Sequence, residues 1–388
     1  MNHDGVAIYV LVDALGWEIL RRRSFLDDIL VERHRVETIL GYSSGAIPTL
    51  LTGKHPNVHG HWNLFYRSPQ TSPFRWTRPL AKLPRAVRES RVTRRAVKYI
   101  SRRVSGYTGY FAIYNLPVDR LAQYDICETT DIYQPRGLAP ARSLFDLLEE
   151  ARIPYECYNY HRHTDEQTLA LMPRRLRESD CRVYFLYLSA FDAFLHFHVS
   201  NGDAVTARLR WYEERLRAIH EAGTRRWGHV RLYVCSDHGM TPIHATEDLI
   251  PHVERLGLSI PGDYLPSYDS TMARFWIFSD RAGIRLREFL GGLTCGRLLS
   301  DAERKTLGIA FDDRRYGDIV FVMKPGVLIC PSDMGRIRFD GMHGFHPRED
   351  PAAHAVLLAS ERLDAPVTHL TEVLPVLVRD LGLSEIPA

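Results

Sequence analysis

The stretch VAIYVLVDALG, residues 6–16, decides the architecture. Its first seven residues, Val6 to Val12, are a continuous apolar run of strand length, which suits a parallel strand buried on both faces. Asp13 follows at once, where such a strand would end. Similar runs recur at residues 183–188 (VYFLYL), 230–235 (VRLYVC) and 355–359 (AVLLA), and each reads as a further strand of the same kind. Helical patterns lie between them, at residues 165–179, 203–222 and 368–383. Strands alternating with helices predict an α/β fold with a mostly parallel central sheet flanked by helices.

The composition of the 388 residues, 45% hydrophobic and 25% charged, is that of a globular chain. One domain over residues 1–388 is expected, carrying two inserted caps at residues 66–135 and 249–300. The first cap is basic: between Arg75 and Arg103 there are eleven lysines or arginines and one acid, Glu89. Arg85, Arg88, Arg91, Arg94, Arg95, Lys98, Arg102 and Arg103 recur near helical spacing. Ala86, Val87, Val92, Ala96, Val97 and Ile100 would form an apolar stripe opposite them. Three readings compete for Arg85–Arg103: a solvated helix face, a wall attracting an anionic substrate, and a peripheral contact with an anionic membrane. The second cap begins with a stretch, residues 249–270, punctuated by proline and glycine and read as irregular.

A net charge of +3 is too small to argue for specific nucleic-acid binding. The first residues show no signal-peptide pattern, no window is apolar enough to span a membrane, and the six cysteines are scattered. These features lead us to expect a cytoplasmic protein with reduced thiols, at the inner membrane face if the basic segment touches lipid. Oligomeric state is not legible.

The residues that follow the strands carry the chemistry. Asp13 ends the first. GYSSG, residues 41–45, offers Ser43 and Ser44 and fits the G-x-S-x-G turn of serine esterases. The run at 183–188 leads to Asp192 and His196, four apart on one helix face. The run at 230–235 leads to Asp237 and His238, and FDGMHGFHP, residues 339–347, adds His343 and His346. Ligands of parallel sheets bind at the carboxyl ends of the strands. Three carboxylates, three histidines and a hydroxyl gathered there would build two adjacent metal sites, and mixed His/Asp ligands suit zinc. A serine esterase would need one histidine and one acid, and would leave Asp13 and the two Asp/His pairs unexplained. His59, His61, His198, His346, Arg274 and Asp318 read as structural or outer residues.

As a set, these motifs resemble the alkaline phosphatase superfamily, in its type I phosphodiesterase/nucleotide pyrophosphatase-like branch. The markers are VDALG around Asp13, SSGAIPTLLTG from Ser43 to Gly53, PNVHG from Pro56 to Gly60, DAFLH from Asp192 to His196, SDHGM from Ser236 to Met240 and MHGF from Met342 to Phe345. The resemblance implies Ser43, ten residues before the glycine of T-G, as nucleophile. It implies one zinc on Asp13, Asp237, His238 and Ser43, and a second on Asp192, His196 and His343, with manganese as the other candidate metal. It assigns Asn63 to a phosphoryl oxygen, one residue short of the usual spacing. The expected activity is a two-zinc phosphodiesterase or pyrophosphatase working through a phosphoseryl intermediate on a small-molecule, lipid-linked or sugar-linked phosphoester. A phosphomonoesterase, a phosphonate hydrolase and a phosphotransferase are alternatives on the same metals, and a serine esterase and a non-catalytic membrane-docked module are remoter ones. The chain departs from the family in reading Asp13-Ala14 where many members read D-G, and in carrying serine where most nucleotide-cleaving members carry threonine. Their aromatic nucleoside clamp has no counterpart legible in the sequence, and the C-x-P-x-R motif of sulfatases is absent.

Overall fold

The computed structural model describes residues 5–383. Six strands form the central sheet, in the order Glu32–Val36, Ala355–Ala359, Val230–Cys235, Val6–Val12, Val183–Leu188 and Tyr155–Tyr158. The last four pair in parallel, with Val6 opposite Val230 and Ala7 and Tyr155 each opposite Val183. The strand Ala355–Ala359 corrects the sequence reading, because it runs antiparallel to both of its neighbours. An unbroken apolar run reports burial on both faces and says nothing of direction. This strand is as fully buried as the parallel ones.

Alternate residues of the first strand face opposite layers, as a pleated strand requires. Ala7, Tyr9 and Leu11 pack with the helices Ser43–Thr52 and Val373–Asp380. Val6, Ile8 and Val10 pack with Asp165–Glu178 and Gly202–Trp227. The result is a three-layer α/β/α body whose parallel strands all end at one edge, where Asp13, Ser189 and Ser236 begin the loops.

A second, antiparallel sheet follows, in the order Tyr264–Asp269, Met272–Ile277, Ile319–Met323 and Gly296–Leu298. The stretch read as irregular therefore holds a helix, Leu249–Glu254, and an edge strand, Tyr264–Asp269. Pro266 is tolerated in that strand because an edge strand has one side without ladder partners. Residues 65–126 form a third unit. Phe65–Arg67 pairs with Tyr124–Ile126, and the helix Arg91–Ser105 lies between them in sequence. Ser90 caps that helix by accepting from the Thr93 N–H at 3.2 Å, and Gly106 ends it at φ 70. Its expected apolar stripe is not an inward face. Val97 is buried, but Val87, Val92, Ala96 and Ile100 are exposed, because the chain beneath covers only one line of the helix.

Candidate active site

Each site residue is set by the end of a regular element. Asp13 follows the first strand and is buried, and the Tyr187 hydroxyl donates to its Oδ2. Ala14, next in the chain, has a φ of 62. That left-handed conformation costs an alanine roughly 1 kcal/mol and a glycine almost nothing. The turn also brings the Ala14 N–H to 3.4 Å from Asp237 Oδ1. The glycine that many family members carry here thus has a backbone reason.

The glycines of GYSSG have reasons of their own. Gly41 has a φ of 127, and a Cβ on Gly45 would lie 2.6 Å from the Trp62 carbonyl oxygen. Between them the two serines part company. Ser43 Oγ lies 3.0 Å from His238 Nε2, whereas Ser44 Oγ donates to the Trp62 carbonyl at 3.3 Å.

The histidine tautomers follow from their outer partners. His238 Nδ1 lies 3.0 Å from the Gly239 carbonyl, which can only accept, so Nδ1 carries the proton. The bare Nε2 then faces Ser43, Asp237 Oδ2 at 3.1 Å and Asp13 Oδ1 at 3.4 Å. A Ser–His–acid triad requires the acid on Nδ1. Here both acids sit on the Nε2 side, so the esterase constellation is not formed. His196 repeats the pattern, with Nδ1 on the Gly341 carbonyl at 2.8 Å and Nε2 3.3 Å from Asp192 Oδ2. His343 Nε2 lies 3.5 Å from Asp192 Oδ1, and its ring stacks on His238 at 3.7 Å.

The electrostatics are those of a site lacking positive charge. Burial, then Asp237 and Asp192, push the Asp13 carboxyl well above the usual range. Burial, then His238, drive His343 well below the usual imidazole value, so it is neutral. Burial would also raise Asp192, but His196, 3.3 Å from its Oδ2, outweighs it and holds that carboxyl below the ordinary range. Asp13 Oδ1, Asp192 Oδ1 and Asp237 Oδ2 are buried without a hydrogen-bond partner. Orphaned carboxylate oxygens are expensive, and a bound cation is the usual remedy. Asp13, Asp237 and His238 offer ligand atoms within 4.8 Å of one another, and so do Asp192, His238 and His343. His196 reaches the same Asp192 carboxylate from its other oxygen. Carboxylates and neutral imidazoles in this arrangement fit divalent transition metals.

Other residues singled out in the sequence lie elsewhere. His59 is buried against Thr49, and Arg274 pairs with Asp269 at 2.7 Å, both within the fold. Asp318 pairs with Arg314, and His198 is exposed. His346 forms a third acid–histidine group with Glu303 and Glu349, but Arg297 already bonds both carboxylates.

A cavity of about 460 Å³ opens on Ser43, Asn63, Asp192 and His343. Asn63 is buried, and its amide makes only one weak bond, from Nδ2 to Met272 Sδ at 3.5 Å, with Oδ1 left unpartnered. Sequence reasoning missed an aromatic wall in the rest of the lining. Tyr187 stacks on Tyr133 at 5.3 Å and meets Tyr160 edge-on at 5.6 Å, and Tyr110 and Tyr114 continue the wall. Glu128, buried among these rings, is pushed up to about 7 by burial. Among the described residues, no lysine or arginine lines the cavity.

The sequence model of the type I phosphodiesterase/nucleotide pyrophosphatase family matches residues 7–288. The chain belongs to that family. It is accordingly a phosphoester hydrolase of the phosphodiesterase/nucleotide pyrophosphatase type. His343 lies beyond the matched span, yet the fold brings it against Asp192. Among solved structures, human ectonucleotide pyrophosphatase/phosphodiesterase 5 aligns with a TM-score of 0.66 at 14% identity, over 98% of this chain and 96% of that one. The murine protein gives 0.66 at 16% identity over the same shares. An inactive murine variant in complex with AMP gives 0.65 at 16% identity, over 99% and 96%. At such identities the likeness establishes a shared fold. A comparison with the curated proteins gives no match.

Proposed function

We propose that the protein is a two-zinc phosphodiesterase in which Ser43 is the nucleophile. The observation that carries this reading is Ser43 Oγ, 3.0 Å from the bare Nε2 of His238 and beside the unpartnered oxygens of Asp13 and Asp237. Asp13, Asp237, His238 and Ser43 would hold one ion, and Asp192, His196 and His343 the other, with manganese as the second candidate metal. When bound, the ions lower the pKa of the serine hydroxyl and offset the phosphoryl charge. Ser43 gives up its proton to solvent, Oγ bonds to phosphorus, and the bond from phosphorus to the leaving oxygen breaks; the leaving group takes a proton from water, and the phosphoseryl enzyme keeps the other ester group. Water then cleaves that ester and restores the serine. Asn63 and the backbone N–H of Ser43, in the unsatisfied first turn of its helix, steady the remaining phosphoryl oxygen.

Two features favour a diester. A phosphomonoester carries an extra charge, and the described residues supply no lysine or arginine around the cavity to meet it. The tyrosine wall suits a flat leaving group, and a relative of the same fold has been captured with AMP, which supports a nucleotide-sized substrate.

The test is initial rates of the zinc-loaded enzyme on bis(nitrophenyl) phosphate and on nitrophenyl phosphate, with Ser43→Ala as control. A diester excess that disappears in the variant is the expected result. A monoester excess would move the enzyme to the phosphatase side, and Ser43-independent turnover would remove the phosphoseryl step.

A further inference from the structure

We propose that the helix Arg91–Ser105 is a docking surface for an anionic lipid membrane. Arg91, Arg95, Lys98 and Arg102 recur at helical spacing and form one exposed ridge. Among the described residues, none of the four has an ion-pair partner, whereas Arg88 and Arg94 are paired with Asp119 and Glu89. Beside the ridge runs a second exposed line of Val92, Ala96 and Tyr99, with Val92 at 78% and Tyr99 at 70% exposure. Half of the large apolar side chains exposed among the described residues fall between Trp76 and Val104. Arg95, Lys98, Tyr99, Arg102 and Tyr107 also line one concave patch.

A helix face that merely meets water turns its aliphatic residues inward. This one is held to the body by Val97, by Ser101, which accepts from Trp76 Nε1 at 3.0 Å, and by Arg94, which reaches the Leu116 carbonyl at 3.0 Å. Val92, Val104 and Tyr99 point the other way. Cations beside apolar side chains match an interface in which headgroups meet the charges and the acyl boundary takes the rest. A nucleic-acid backbone would use the ridge and leave Val92, Tyr99 and Val104 in water. Among the described residues, no helix is long and apolar enough to cross a membrane, so the contact is peripheral. Arg94 also bonds the carbonyl of Tyr114, a cavity residue, so the docking helix backs directly onto the wall of the active site.

Co-flotation of the full chain tests the proposal. Vesicles of phosphatidylcholine with about 30% phosphatidylserine are compared with phosphatidylcholine alone, at about 0.1 M and about 0.5 M salt. The expected result is binding at least tenfold tighter to the anionic vesicles, weakened by salt. The triple variant Arg95→Glu, Lys98→Glu, Arg102→Glu should lose at least tenfold, at roughly fivefold per cation. Val92→Ser with Tyr99→Ser should lose severalfold at unchanged charge. Both variants should keep the rate on a soluble nitrophenyl diester, which reports that they are folded. Equal binding to both vesicles, no binding at low salt, or full binding by the triple variant would overturn the proposal. So would retention of a DNA or RNA oligonucleotide with no vesicle binding, which would make the partner a nucleic acid.

Discussion

Two regions of this molecule are strongly charged, and they handle charge in opposite ways. At the strand ends, Asp13, Asp192 and Asp237 converge in a buried or half-buried space, and each has an oxygen without a hydrogen-bond partner. Along the helix Arg91–Ser105, unpaired cations stand apart on a ridge in water. Burial forces the first group to find a counter-charge, since each uncompensated carboxylate there costs several kcal/mol. Screening lets the second group wait for one. Charge that is buried reports a built-in site, and charge that is exposed reports at most a surface to be met.

This contrast can be broken by mutation, and the largest effect should fall on the buried side. Ser43→Ala should lower diester turnover about a thousandfold or more, while Ser44→Ala stays within about tenfold, as initial rates would show. Equal losses would mean that the bond of Ser44 to Trp62 does not separate the two serines. Arg274→Met, which strands Asp269 in the core, should cost about 3–5 kcal/mol in a denaturant titration. A drop below about 1 kcal/mol would show that buried charge here tolerates isolation. Asn63→Ala should reduce kcat about a hundredfold with little change in thermal midpoint.

Glu128 gives a smaller effect that depends on pH. Burial raises its folded value to about 7, so the folded state holds a proton that the unfolded chain has already released near its ordinary value of about 4.3. Its contribution to stability is therefore full below about pH 4, and is lost as pH rises through about 7. Glu128→Gln should remove on the order of 2 kcal/mol of that pH dependence, read as thermal midpoint against pH from 5 to 8. An unchanged slope would transfer the effect to Asp333, which burial also raises to about 7. The smallest effect belongs to the exposed side, where Arg95→Gln should change stability by less than about 0.5 kcal/mol.

Much of the candidate site was legible because parallel strands advertise themselves. The runs ending at Val12, Leu188 and Cys235 lie where the sequence placed them, and Asp13, Asp192 and Asp237 follow them. What was not legible depends on register, direction or distant packing. Tyr187 lies on the same face as Asp13 only because Tyr187 pairs with Leu11 across the sheet, a register that no local pattern states. The tyrosine wall gathers Tyr110, Tyr133, Tyr160 and Tyr187 from well-separated parts of the chain. The outward turn of Val92 and Tyr99 escaped notice because helical spacing gives a stripe without saying which way it faces.

The reversed strand Ala355–Ala359 has a consequence for how the protein is made. It lies between Glu32–Val36 and Val230–Cys235, and Glu32–Val36 pairs with no other strand of the sheet. As the chain leaves the ribosome, that early segment waits for a neighbour synthesised hundreds of residues later, and His343 emerges just ahead of it. A nascent chain thus carries its serine long before it can assemble the pocket around it, and hydrolysis cannot begin until synthesis has passed Ala359.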